Sequence, residues 1–142
     1  QEVEINPDYD NFIDLINSIS KHSNILITTG IIDTNIVYDL KVKFFKKINE
    51  KIFYKKNLDK FIYLVYCPSF EDIESLLRKS KILIACHGSI THAANSFNVR
   101  KIDILEKSKI NFYERFTSYL NNYDMIYRST FNTLKEDILK KI

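Results

Sequence analysis

The sequence predicts an α/β protein, with a mostly parallel sheet layered between helices. Three observations carry that prediction. Short β-branched runs alternate with stretches whose apolar residues recur at three- and four-residue steps. The run Phe61-Ile62-Tyr63-Leu64-Val65-Tyr66-Cys67 is apolar throughout, as in a strand covered on both faces. Over 82–105, strand, glycine loop, helix and strand follow one another with few residues between them, as in a crossover unit.

Asn6-Pro7-Asp8 is a helix-start signal, and Phe12, Leu15, Ile16 and Ile19 then recur at helical spacing. Ile25-Leu26-Ile27-Thr28-Thr29-Gly30 reads as a buried strand stopped by glycine. Asp33-Thr34-Asn35 supplies cap chemistry for a helix over 35–49, with Ile36, Val37, Leu40, Phe44, Phe45 and Ile48 as its apolar stripe. Residues 50–60 hold a short strand at Ile52-Phe53-Tyr54 or a turn at Asn57-Leu58-Asp59. After the 61–67 strand, Pro68-Ser69 leads into a helix over 70–80 with Ile73, Leu76 and Leu77 inward. A strand at 82–86, a helix over 90–97 and a strand at 101–105 follow. From 109 onward Phe112, Tyr113, Phe116, Tyr119, Leu134 and Ile138 predict terminal helices packing on the sheet. The alternation favours a doubly wound, three-layer α/β/α Rossmann-like arrangement.

The 142 residues fit one compact domain over 1–142, and 45% hydrophobic content supplies its core. That content argues against disorder, and two glycines with two prolines exclude a collagen-like chain. No apolar run approaches the roughly 20 residues of a membrane-spanning helix. The acidic start, Gln1-Glu2-Val3-Glu4, is unlike a signal peptide. Cys67 and Cys86 each end an apolar run and read as reduced, buried residues, which suits the cytoplasm with at most peripheral association at the inner face of the membrane. The net charge of +3 comes from lysines interleaved with apolar residues, a solvated face and not a nucleic-acid patch. Because the first residue is not Met, the chain reads as an excised fragment or a processed product.

In an open parallel sheet, ligands bind beyond the carboxyl ends of the strands. Two loops qualify. In the loop 87–92, His87-Gly88-Ser89-Ile90-Thr91-His92, Gly88 permits close backbone approach or a positive φ. Ser89 and Thr91 offer hydroxyls at a helix start, and His92 offers an imidazole, which together make a cradle for a diphosphate. The plainer reading is a helix cap at Ser89 and a turn at Gly88. The second loop is Thr28-Thr29-Gly30, whose threonines serve either a phosphate or the strand. Neither loop carries a dinucleotide or P-loop fingerprint. His87 and His92 are not spaced for one helical face and have no carboxylate nearby in sequence, so no metal site is expected. Asp103 either holds ribose hydroxyls or faces solvent at a sheet edge.

The stretch 69–105 resembles the C-terminal half of GT-B-type glycosyltransferases, particularly the heptosyltransferase-like family nine enzymes. Those carry a helix, a strand and a D-[ST]-G-x-x-H-x-A-A loop-helix element. Here the counterparts are Phe70-Glu71-Asp72-Ile73-Glu74-Ser75-Leu76-Leu77, then Ile82-Leu83-Ile84-Ala85-Cys86, then His87-Gly88-Ser89-Ile90-Thr91-His92-Ala93-Ala94. If His92 matches the family histidine, His87 stands where that motif has Asp. The resemblance implies that Gly88, Ser89, Thr91 and His92 bind the diphosphate of a nucleotide-sugar, with Thr28-Thr29-Gly30 near the donor; His87 and Asp103, read from their places after and within strands, are candidates for a loop or ribose role. It further implies transfer to a glycan or lipid-linked acceptor without a metal cofactor, the acceptor side and catalytic base coming from an N-terminal domain. The alternative is a non-catalytic α/β module that binds a nucleotide or a protein.

Overall fold

The computed structural model describes residues 8–142, so Asn6 and Pro7 of the expected helix-start signal lie outside the described residues. Asp8 caps α1 (Tyr9–Ser20): its carboxylate accepts from the Asn11 backbone N–H at 2.8 Å. The helix turns Leu15 and Ile16 inward, as its spacing predicts. β1 (Ile25–Thr28) follows, and Thr34 then caps α2 (Asn35–Asp39).

The helix expected over 35–49 ends early. Its last turn widens into a π-helical turn, Leu40–Phe44, and the chain leaves it in extended conformation at Phe45. Lys46–Lys47 form β2, which pairs antiparallel with β3 (Ile52–Asn57). Phe45 is still buried, whereas Ile48 is exposed and belongs to the hairpin. Long-range pairing has overridden a local helical pattern.

β4 (Lys60–Val65) pairs antiparallel with β3 through a turn in which Leu58 takes a positive φ of 56°. It pairs parallel with β1, giving the mixed order β1-β4-β3-β2. Within β4, Ile62 and Leu64 are fully buried and their neighbours only half-buried. Phe61 and Tyr63 stack on the other face, ring centroids 6.1 Å apart. The unbroken apolar run is therefore a strand with one deeply buried face, the second carrying an aromatic pair.

Residues 70–142 carry α3 (Phe70–Lys79), β5 (Ile82–Cys86), α4 (Ser89–Ala94), β6 (Arg100–Leu105), α5 (Ile110–Thr117), β7 (Tyr123–Tyr127) and α6 (Phe131–Lys141). β5, β6 and β7 form a wholly parallel sheet with β6 in the centre. Lys101, Ile102 and Asp103 are all buried, so both faces of β6 are covered. Leu77, Ala94 and Val99 pack together as an apolar cluster.

The segment 109–142 is thus not helical throughout, because β7 interrupts it. Tyr123-Asp124-Met125-Ile126-Tyr127 has weak strand patterning of its own, and it becomes a strand through its register on β6. The α/β class stands, but the one mostly parallel sheet is replaced by a mixed four-stranded sheet and a parallel three-stranded one. Among the described residues, 8–69 and 70–142 form two compact units. None of their helices is long and apolar enough to cross a membrane.

Candidate functional site

Strand periodicity builds the site in the 70–142 unit. Ala85 of β5 lies beside Asp103 of β6, and His87, two residues on, shares the face of Ala85. Lys101 lies beside Tyr123 of β7, so Tyr123 shares the face of Lys101 and Asp103. α4 brings Thr91 to that face.

Asp103 is fully buried and accepts from three side chains. His87 Nδ1 lies 2.6 Å from its Oδ2, Thr91 Oγ1 donates to Oδ1 at 2.6 Å, and the Tyr123 hydroxyl donates to Oδ2 at 3.2 Å. With its oxygens accepting, Nδ1 of His87 is the donor in that pair, and Nε2 is the nitrogen left to meet a ligand. Burial, and then the charge of Asp103, push the Tyr123 hydroxyl well above the usual tyrosine range, so it stays a donor.

The rings around His87 are aromatic. His92 stands edge-on at 5.0 Å between centroids and Tyr113 of α5 edge-on at 5.1 Å. His92 Nδ1 meets the Tyr119 hydroxyl at 2.5 Å, with the two rings stacked. The His87 side chain keeps 11% of its surface exposed.

The sequence-derived candidates divide accordingly. His87, Thr91 and Asp103 converge, and His92 adjoins them. Asp103 lies in the central strand, not at a solvent-facing edge, and is fully buried. Thr91 is fully buried and spends its hydroxyl on Asp103, whereas Ser89 is exposed. Gly88 has φ 178°, extended backbone and not a positive φ. A Cβ there would meet only the Cys86 carbonyl oxygen at 3.8 Å, an ordinary contact. Cys86 is exposed and free, contrary to the buried role expected of it, and Cys67 is free and half-buried.

Thr28, Thr29 and Gly30 belong to the 8–69 unit. Thr28 and Gly30 are exposed. Thr29 is structural. Its backbone N–H donates to Val65 O at 3.2 Å, and its Oγ1 accepts from the Cys67 N–H at 2.9 Å. The hydroxyl ties the end of β1 to the end of β4.

Tyr113, Tyr119 and Tyr123 are site residues that the sequence pattern does not single out. The one local signal is a charged residue in the middle of an Ile-rich strand, since such a carboxylate needs buried donors. At the same carboxyl edge of the parallel sheet stand Glu106 after β6 and Arg128 after β7, paired at 3.2 Å, with Lys109 at 2.7 Å from Glu106. Among the described residues, no group of three or more His, Cys, Asp or Glu side chains is arranged to hold a metal ion. Comparison with protein-family models, with curated proteins and with solved structures gives no match to this chain.

Proposed function

We propose that the 70–142 unit binds the donor of a sugar-transfer reaction, a nucleoside-diphosphate sugar, at the carboxyl edge of its parallel sheet. The observation that carries the reading is the loop 87–92 at the end of β5, where His87 is oriented by a buried carboxylate and stands beside His92 and the exposed Ser89. That edge is where open parallel sheets take nucleotides. Gly88 supports the reading too, because nothing among the described residues demands a glycine there, and close approach of a ligand would. In such a reaction the acceptor oxygen bonds to the anomeric carbon as the bond to the diphosphate breaks. The domain's part is to hold the departing charge.

Titration calorimetry with UDP, GDP, CMP and ADP-sugars tests the reading. One nucleotide class is expected to bind, with Gly88→Val and His92→Ala each weakening it at least tenfold while the far-ultraviolet spectrum stays unchanged. The isolated chain is expected to transfer no sugar, since the resemblance assigns the acceptor side to another domain. Absence of binding by every nucleotide overturns the donor reading.

A second reading has its own support. Phe112, Phe116 and Tyr119, on and just after α5, are 57%, 45% and 58% exposed, an apolar surface suited to a protein-binding module. Nucleotide-insensitive self-association or partner binding, lost in Phe112→Ser, would favour it.

A further inference from the structure

We infer that His87, and not the helix start beside it, is the charge partner of the diphosphate: it binds as an imidazolium, Nδ1–H held by Asp103 and Nε2–H given to a phosphate oxygen. This rests on the donor-binding reading and adds to it the residue that meets the charge.

The neighbouring groups are already committed or weak. Thr91 is buried and bonded to Asp103, and α4 is only six residues long, Ser89–Ala94. Its dipole is correspondingly weak, and its first-turn N–H groups are few. His92 is engaged through Nδ1 by Tyr119. His87 is held through the same nitrogen, but by a buried carboxylate where His92 has a hydroxyl. Its Nδ1 is fixed on Asp103 at 2.6 Å, which orients the ring and turns Nε2 away from that carboxylate.

Asp103 is in turn fixed by Thr91 and Tyr123, so the imidazole is held at the end of a chain of buried hydrogen bonds. A neutral imidazole with Nδ1–H would present a lone pair at Nε2 and repel a phosphate oxygen. The cation presents an N–H instead. A carboxylate on one side and a phosphate on the other both favour that cation in the complex.

The groups facing His87 come from four elements. Asp103 and the buried Lys101 come from β6, Tyr123 from β7, Thr91 and His92 from α4, and Tyr113 from α5. Lys101 points its Nζ at the Val99 carbonyl oxygen, 3.1 Å away. Burial depresses its pKa, so its positive charge is disfavoured at that depth. Burial holds the Tyr123 hydroxyl above its usual range, so it stays an uncharged donor. Of these groups, His92 is the other imidazole, and it must be separated by the test.

The probes are UDP, GDP, CDP and ADP, each titrated into the full chain by calorimetry in two buffers of different ionisation enthalpy between pH 6 and 8. Binding is expected to weaken by up to about tenfold per pH unit as pH rises, with proton uptake growing toward one over the same range. His87→Gln is expected to lose the proton uptake and the pH dependence and to weaken binding about tenfold. Nitrogen NMR of the histidine rings, assigned with His92→Gln, is expected to show both nitrogens of His87 protonated in the complex. Should His87→Gln fail to fold, that spectrum of the wild-type complex decides alone.

Proton uptake that survives in His87→Gln, or a His87 ring with one bare nitrogen in the complex, overturns this inference and leaves donor binding standing. Failure of all four nucleotides to bind overturns the donor reading, and this inference falls with it.

Discussion

Two side chains on one face of β6 show how much a single position can decide. Asp103 and Lys101 are both fully buried, yet only Asp103 has a full set of partners: three donors surround it, while Lys101 Nζ has the Val99 carbonyl. Burial drives the Lys101 pKa below 10.5, against the opposing pull of Asp103. The sign of the consequence is definite. An unfolded chain binds that proton more tightly than the folded one, so this residue makes the fold gain stability as pH rises from the depressed value toward 10.5. Lys101→Met is expected to match or exceed wild-type stability at pH 7 by up to roughly 1–2 kcal/mol, since it removes a poorly compensated buried amine. It should also flatten the rise in stability on the alkaline side of neutrality in urea denaturation. Measurements should stop near pH 10, because Tyr123, raised above its ordinary value, keeps its proton in the fold and contributes an opposite slope there. Residue-scale reading of the sequence could single out Asp103, His87 and Thr91 but neither Tyr123 nor the bonds that join the four, since they arrive from different elements.

At the scale of elements, the sheet is tied to the last helix by charge. Arg100 at the start of β6 donates from Nε at 3.0 Å and from Nη2 at 2.5 Å to Asp124 of β7, and its Nη1 donates to the Lys141 carbonyl at the end of α6. Lys141 Nζ reaches the other oxygen of Asp124 at 3.1 Å. The Arg100 bond, and then that of Lys141, hold the Asp124 carboxyl below its usual range. A depressed carboxyl contributes stability that is present above its unfolded value of 3.8 and is lost as pH falls through the folded value. Asp124→Asn is therefore expected to remove part of the acid limb of the stability profile below pH 4. Its cost at pH 7 should be on the order of 0.5–1 kcal/mol, small because the pair is a third exposed and screened. A wild-type acid limb in the mutant would show that the ion pair contributes nothing. Element boundaries were legible where a cap and spacing agree, as in α1, or where spacing follows a Pro-Ser break, as in α3. They failed at 44–49 and at 123–127, where strand partners far along the chain set the conformation.

At the scale of the whole molecule, the two loops that sequence reasoning nominated together belong to different compact units. Thr29 is spent on joining β1 to β4, which accounts for it without a ligand. Hydrogen exchange in the presence of saturating nucleotide separates the two loops. Protection is expected over 87–92 and at the end of β6, with the 28–30 amides unchanged. Protection of 28–30 as well would place both loops on the ligand and return Thr28 and Thr29 to the site.

The order of residues determined by itself the α/β class, the caps at Asp8 and Thr34, and the strand-loop-helix unit that presents His87 and Gly88, because these depend on spacing within a few residues. Tertiary structure decided the rest. It split the strands into two sheets, made β7 from an unremarkable segment, and set Ala85 beside Asp103 so that His87 meets a buried carboxylate. The reason is that register and burial are long-range properties: a strand one residue out of step would turn Asp103 to the opposite face, and no local pattern reports that step.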